Sequence, residues 1–313
     1  MTNRRDLIKL LAAAPLLSAI PREVMALGEL SGGAKPVSKP ILRKIPTSGE
    51  MIPSVGMGSY QTFNISNSSP QKENLLKVLQ AFFEAGGQLI DSSPMYGRSE
   101  SVIGELVSQI APKPDFFAAS KVWTYGKQAG IDAIGETERR MRVTAMDLMQ
   151  VHNLRDWEIQ LKTLYQMKDE GKLRYAGITT SFLGQYQEFE DVMRAEKLDF
   201  VQLNYNIKVR EAEKRLLPLA QDKGIAVIVN MPYEKGRLFK FVKGKSLPEW
   251  SKEFDCESWG QFFLKFILSH PAVTCAIPAT SKVRHMKDNM QAMHGRLPDQ
   301  KMRQKMLTYF ENI

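Results

Sequence analysis

Four polar residues stand out by type and spacing: Asp91, Tyr96, Lys121 and His152. Apolar Leu89-Ile90 runs into Asp91, the stretch from Phe116 to Ser120 into Lys121, and Leu148 to Val151 into His152, while Tyr96 lies in the segment just past Asp91. A phenol, an ammonium, a carboxylate and an imidazole brought together suit the reduction of a carbonyl. Hydride addition to a carbonyl carbon leaves an alkoxide, so a proton donor must stand within hydrogen-bond reach of the oxygen. Tyr96 is the candidate donor. An unperturbed phenol has a pKa of about 10 and gives up its proton poorly near neutrality, so a nearby cation, Lys121, is expected to favour the ionised form. A bare buried ammonium is costly, and Asp91 would pair with it and hold it. His152 would donate to the substrate oxygen and orient the carbonyl. Singly, each residue has an ordinary alternative: a helix cap for Asp91, a rim position for Tyr96, a solvated Lys121, a satisfied core His152. Their arrival at the same end of three consecutive strand and helix units favours the joint reading.

Eight short apolar runs can act as strands: Val55–Ser59, Gln88–Ser93, Phe116–Val122, Leu148–Asn153, Tyr175–Thr180, Phe200–Asn206, Ala226–Pro232 and Val273–Ala279. Between them lie stretches of helical spacing, such as Leu75-Leu76, Val78-Leu79 and Phe82-Phe83, or Val102-Ile103 and Leu106-Val107 behind a cap at Ser99. Near-continuous apolar runs such as Ala226-Val-Ile-Val suit strands buried on both faces. The eight units across 55–292 average about 30 residues, the size of a β-α-β repeat. Gly56-Met57-Gly58 lacks the third glycine of a phosphate fingerprint. The pattern therefore favours an α/β fold of the closed (β/α)8 TIM barrel type over a doubly wound sheet. Ile41–Ile45, the turn at 47–50 and Met51–Pro53 read as a β-hairpin preceding the barrel and closing its bottom. Residues 233–256 form a long polar connection, a length usually reserved for function.

The 313-residue chain is 43% hydrophobic with a net charge of +9, the balance of a globular protein. Its densest basic run, Arg139, Arg140 and Arg142, is interleaved with Glu136 and Glu138, which argues against a nucleic-acid stripe. Two Cys and four scattered His leave no disulfide framework and no metal site, and a Cys256–Cys275 bridge is not expected. Residues 3–9 carry adjacent Arg4 and Arg5, followed by an apolar stretch from Leu10 to Ile20 that is short for a bilayer span. This start resembles the bacterial twin-arginine export signal, although Leu7 stands where an aromatic is often found. The resemblance implies a signal peptide and linker over 1–34, a single domain over 35–313, the twin-arginine export machinery as a partner, and a soluble periplasmic protein exported folded. No later stretch reaches the roughly twenty apolar residues of a transmembrane helix.

The runs Leu89-Ile-Asp-Ser-Ser-Pro-Met-Tyr-Gly-Arg-Ser-Glu, Ser120-Lys-Val-Trp123 and Leu148-Met-Gln-Val-His-Asn153 closely resemble the aldo-keto reductases, over roughly residues 41–292. The resemblance implies a catalytic tetrad of Asp91, Tyr96, Lys121 and His152, and NADPH as an extended cofactor without a Rossmann fold. It places the nicotinamide amide against Thr179, Thr180 and Gln202. It places the 2′-phosphate at Thr280, Ser281 and Lys282 with Arg284 or His285, and the adenine at Asp288 and Asn289. Lys and hydroxyl groups at a helix start suit a phosphate, which favours NADPH over NADH. Asn230 departs from the family by standing where an aromatic usually stacks on the nicotinamide, with Tyr233 three residues on. Tyr60, Trp123, Asn153 and the 233–256 segment would line a mostly aromatic pocket for a small carbonyl substrate. A reductase of aldehydes and ketones is the leading expectation. Two others stand beside it: a dinucleotide-binding sensor or partner module with little turnover, and a Schiff-base lyase with Lys121 as nucleophile. The oligomeric state stays open.

Overall fold

The computed structural model describes residues 39–313, so the proposed signal segment lies outside the described residues. Strands β1 (Leu42–Lys44) and β2 (Met51–Pro53) pair antiparallel with Arg43 opposite Ile52. Eight parallel strands follow: β3 (Met57–Gly58), β4 (Leu89–Asp91), β5 (Phe117–Val122), β6 (Met146–His152), β7 (Leu173–Thr179), β8 (Phe200–Asn204), β9 (Ala226–Asn230) and β10 (Val273–Ala276). Each pairs with its neighbours in chain order. The seam between β3 and β10 is closed by parallel bridges from Val55 to Ala276 and from Gly58 to Ala279, with Gly56 N donating to Ala276 O at 2.9 Å. The sheet is therefore a closed (β/α)8 barrel behind an N-terminal hairpin.

Helices wrap it in strict alternation. Helix α1 (Gln71–Glu84) follows β3, α2 (Ser99–Val107) follows β4, α3 (Lys127–Met141) follows β5, α4 (Trp157–Asp169) follows β6 and α5 (Tyr186–Ala195) follows β7. The short α6 (Glu211–Lys214) and α7 (Leu216–Lys223) follow β8, and α8 (Arg237–Phe241) and α9 (Trp259–Leu268) follow β9. Last come α10 (Val283–Gln291) and α11 (Gln300–Glu311). The 233–256 connection is itself ordered into α8 and two 3-10 turns, Glu234–Gly236 and Glu249–Phe254. Ser99 proves to be the first helical residue rather than the cap: Arg98 takes the cap position, and the Ser99 hydroxyl donates back to Tyr96 O at 2.8 Å.

The two glycines of Gly56-Met57-Gly58 let the neighbouring strands on either side pack closely. A Cβ on Gly56 would stand 2.8 Å from Leu89 O, and one on Gly58 the same distance from Ile277 O. Only glycine lets these backbones approach so closely.

Two apolar cores divide the structure. One lies between barrel and helices, with Val78, Leu79 and Phe82 of α1 and Phe262, Phe263 and Phe266 of α9 all buried. The other fills the lower barrel, where Leu89, Phe117, Leu148, Tyr175 and Phe200 meet Ile45 and Ile52 of the hairpin. Phe117 stacks on Tyr175 at 5.8 Å, and Tyr175 meets Phe200 edge-on at 5.4 Å. The Tyr175 hydroxyl reaches the hairpin's Glu50 Oε2 at 2.5 Å. The bottom of the barrel is thus plugged by side chains, and a cavity opens toward the carboxyl ends of the strands.

Candidate active site

Above the apolar plug the barrel interior turns polar. Along β4, β5, β6 and β8 the next inward positions are Asp91, Lys121, Gln150 and Gln202, all buried. The ladder sets Lys121 opposite Gln150, and Thr179 opposite both His152 and Gln202. Lys121 Nζ donates to Asp91 Oδ2 at 2.7 Å and to Ser92 O at 2.6 Å. Burial works against the ammonium, but the charge and hydrogen bond of Asp91 together with Tyr96 and Glu100 outweigh it, and the Lys121 pKa stands above its ordinary value. An amine held charged and bonded twice is not a free nucleophile, so the geometry disfavours the Schiff-base lyase.

Tyr96 ends a 3-10 turn, Pro94–Tyr96, whose cap Ser93 accepts from Met95 N. Its ring centroid lies 5.3 Å from Lys121 Nζ and 6.1 Å from the His152 ring, to which it is nearly perpendicular. Burial raises the Tyr96 pKa, Lys121 opposes that and Asp91 adds to it, for a net rise. The expectation that Lys121 brings the phenol down is therefore half met: the pull is present but burial prevails. The phenol keeps its proton at neutral pH, as a proton donor must.

His152 Nδ1 lies 3.1 Å from Ser93 Oγ. That hydroxyl accepts from Met95 N at 3.2 Å and has its own proton to give; in the tautomer where it donates to Nδ1, the ring presents Nε2–H as its donor. Burial, with Lys121 adding, pushes the His152 pKa down to about 3. The imidazole is neutral at any working pH. Ser93 escaped notice in the sequence because a serine between Asp91 and a proline reads as an ordinary turn residue.

A cavity of about 1030 Å³ opens on this layer, bounded at one end by Asp91, Tyr96 and His152 and at the other by Thr280, His285, Asp288 and Asn289. Tyr60 lines it, edge-on to Tyr96 at 5.0 Å, and so does Asn153. Trp123 does not. Its indole lies under the Arg155 guanidinium, 3.8 Å from the ring centroid, which removes it from the predicted pocket wall.

Thr179, Gln202 and Asn230 line the middle. Thr179 Oγ1 donates to Gln202 Oε1 at 3.1 Å, and Gln202 Nε2 donates to Asp91 Oδ1 at 2.9 Å. Thr180 is off the cavity, its hydroxyl bonded to Gln185 Oε1 at 2.6 Å, and the next residue, Ser181, lines the wall in its place. Asn230 Nδ2 donates to Thr180 O at 3.2 Å, whereas Asn230 Oδ1 is buried without a hydrogen-bond partner among the described residues. Tyr233 packs on Phe239 at 4.9 Å and its hydroxyl donates to Asn289 Oδ1 at 2.7 Å, so it serves the far end and does not fill the place of the missing aromatic. Asp288 is held by Ser258 Oγ at 2.7 Å and Gln261 Nε2 at 2.8 Å, two partners from the start of α9 that sequence reasoning did not find.

Three predicted phosphate contacts lie elsewhere. Ser281 and Lys282 line a separate cleft of about 390 Å³ with Asn74 and Leu75, because Asn74 Nδ2 draws the Ser281 carbonyl toward α1 at 2.6 Å. Arg284 is exposed and off the cavity; its neighbour on α10, His285, is exposed too but borders the cavity, as successive helical positions diverge. Among the described residues no cluster of three or more His, Cys, Asp or Glu is placed to hold a metal.

Residues 54–305 match the sequence profile of the aldo/keto reductase family. The chain belongs to that family. Among its relatives, the methylglyoxal reductase YeaE of Escherichia coli is 27% identical over 263 residues, covering 82% of this chain and 90% of that protein. L-galactose dehydrogenase of Arabidopsis thaliana is 23% identical over 284 residues, covering 80% of this chain and 88% of its own. The fold matches an aldo-keto reductase from Klebsiella pneumoniae solved with NADPH, with a TM-score of 0.71 at 20% identity, over 86% of this chain and 95% of that one.

For this aldo-keto reductase barrel the neutral imidazoles set a pH dependence of stability. His152 is held down to about 3 and, mainly by burial, His270 to about 4. Unfolding frees both toward the ordinary value of about 6.5, so the unfolded chain binds more protons below that pH and the fold weakens as pH falls from there toward 4. Urea unfolding at pH 7 and at pH 5 is expected to show the loss, His152 alone contributing up to about 1.4 kcal/mol per pH unit. Equal midpoints at the two pH values would contradict the neutral state of these rings.

Proposed function

We propose that the protein reduces aldehyde and ketone carbonyls to alcohols with NADPH, Tyr96 acting as general acid. The observation that carries this is the protonated Tyr96 standing over the buried Lys121–Asp91 pair with neutral His152 beside it, all at one end of a long cavity. Family membership supports the same reaction class.

The cavity residues fit an extended dinucleotide. Its volume lies at the upper end of ordinary ligand pockets, and its unpartnered acceptor, Asn230 Oδ1, awaits a donor from a ligand. Thr179, Gln202 and Asn230 would meet the nicotinamide end, and Thr280, His285, Asp288 and Asn289 the adenosine end. Thr280 and His285 would take the extra phosphate, with Lys282 on the adjoining cleft adding positive charge. When bound, the reduced dinucleotide supplies the hydride. The chain's own residues do the rest. His152 Nε2–H orients the carbonyl oxygen, and Tyr96 passes its proton to that oxygen as negative charge builds on it. Lys121 stabilises the phenolate left behind, and Asp91 keeps Lys121 charged and in place. Exposed Tyr60, Met95, Phe182 and Phe239 line the mouth, which suits apolar substrates such as aromatic aldehydes.

A second reading, a dinucleotide-binding module with little turnover, is favoured by Asn230, which offers no aromatic face to a nicotinamide. We further infer from the sequence of residues 3–20 that the chain is exported folded to the periplasm.

Three outcomes are expected. Purified protein should oxidise NADPH in the presence of aromatic aldehydes, and Tyr96→Phe should lower kcat by about 100-fold or more while still quenching NADPH fluorescence; a variant with unimpaired kcat would remove Tyr96 from the role of acid. Asn230→Phe should tighten NADPH binding by about 2- to 10-fold through restored stacking, and unchanged or weaker affinity would show that Asn230 does not occupy that place. Replacing Arg4 and Arg5 by Lys should hold the protein in the cytoplasmic fraction, and undiminished periplasmic recovery would refute the export route.

A further inference from the structure

The polar layer contains one amide that the reaction as derived does not use. Gln150 lies on β6 opposite Lys121, fully buried. Its Nε2 donates to Asp91 Oδ1 at 3.3 Å, the oxygen that Gln202 Nε2 also reaches at 2.9 Å. An ionised carboxylate only accepts, so each amide must turn its NH2 toward Asp91. The two glutamines differ at their other ends. Gln202 Oε1 is taken by the Thr179 hydroxyl, while Gln150 Oε1 is buried with no hydrogen-bond partner among the described residues. Leaving a buried amide oxygen unpaired weakens the fold. A position filled for stability would be apolar, as the barrel layer beneath it is.

We propose that Gln150 is a positioning residue for proton transfer at Tyr96. Together with Gln202 it draws the Asp91 charge toward Oδ1, so that Oδ2 neutralises Lys121 less completely and more of the ammonium's field reaches the phenol. The groups that face Tyr96 are Lys121 from β5, Asp91 from β4, neutral His152 from β6 and Tyr60 from the loop after β3. Glu100 of α2 acts on Lys121 from behind, and Lys235 lies over the Tyr60 ring. Of these groups the Gln150 side chain bonds Asp91, so it acts on Tyr96 through the Asp91–Lys121 balance. The inference rests on the reductase reading for its consequence but not for its geometry.

Gln150→Met keeps length and apolar bulk while removing the donor, and Gln150→Glu replaces the donor with a second carboxylate. Alcohol oxidation with NADP+ needs ionised Tyr96, so its alkaline inflection reports the phenol. That inflection should rise by about half a pH unit to one unit in Gln150→Met and further in Gln150→Glu. Aldehyde reduction by Gln150→Met should lose about 3- to 10-fold in kcat, with the NADPH Kd unchanged and a melting temperature no lower than wild type, since the unpaired oxygen is gone. Ultraviolet titration of Tyr96, taken as the difference between each protein and its Tyr96→Phe counterpart, should show the same order without turnover. If the wild type has no turnover, the reductase reading fails while this titration still decides the proposal. An inflection that stays at the wild-type pH in both variants, whatever the melting temperature, overturns it and leaves Gln150 a structural residue.

Discussion

A buried ion pair, Lys121 on Asp91, is the constraint around which the rest of the site is arranged. Both groups are almost wholly out of water, and two charges so placed lose more in hydration than a bare contact returns. The pair stands because every oxygen of Asp91 is engaged: Oδ2 by Lys121, Oδ1 by two amides. The second proton of Lys121 goes to Ser92 O. Removing either member of the ion pair would leave a charge uncompensated where the solvent cannot reach it. The polar layer is therefore rigid, and Tyr96 and His152 inherit that rigidity.

The barrel can afford such a layer because its lower half is dry. The hairpin inserts Ile45 and Ile52 beneath Phe117, Tyr175 and Phe200, so apolar burial holds the strands together below while charges sit above. Stability and chemistry are separated along the barrel axis, the ordinary division in this architecture. The same division explains the pKa directions. Lys121 stays charged because its partner is ionic; His152 loses access to water without gaining a counter-charge, and at Tyr96 burial outweighs the pull of Lys121, so both are held neutral.

Much of this was legible in the sequence. Eight apolar runs at the spacing of a β-α-β unit pointed to the barrel, and Asp91, Lys121 and His152 at the ends of those runs, with Tyr96 just beyond one, pointed to a polar cluster that the structure does bring together, because strand ends are what a barrel gathers. The misses share a cause. Thr180, Ser281 and Arg284 lie beside residues that do line the cavity, Lys282 and Trp123 lie a little further along from it, and whether a residue near in sequence faces the same way depends on local geometry. Thr180 is turned by its bond to Gln185, the 281–282 turn is pulled aside by Asn74, and Trp123 is covered by Arg155. None of those partners is near in sequence except Gln185. Ser93, Gln150, Ser258 and Gln261 were missed for the opposite reason: as common polar residues they show their role only through what they touch.

The two ends of the cavity are prepared to different degrees. At the Tyr96 end, donors and acceptors are matched before any ligand arrives, so folding has already met the reorganisation that charge development there would demand. At the opposite end, Asp288 and Asn289 are likewise pre-bonded through Ser258, Gln261 and Tyr233. Between them Asn230 breaks the pattern, with one amide end fixed to Thr180 O and the other unpaired at the cavity wall. An aromatic ring there would bind through its face and leave no polar atom to satisfy. An amide instead makes the empty site less favourable and rewards a ligand that brings a donor to it. Discrimination at that point therefore rests on hydrogen-bond geometry rather than on ring shape.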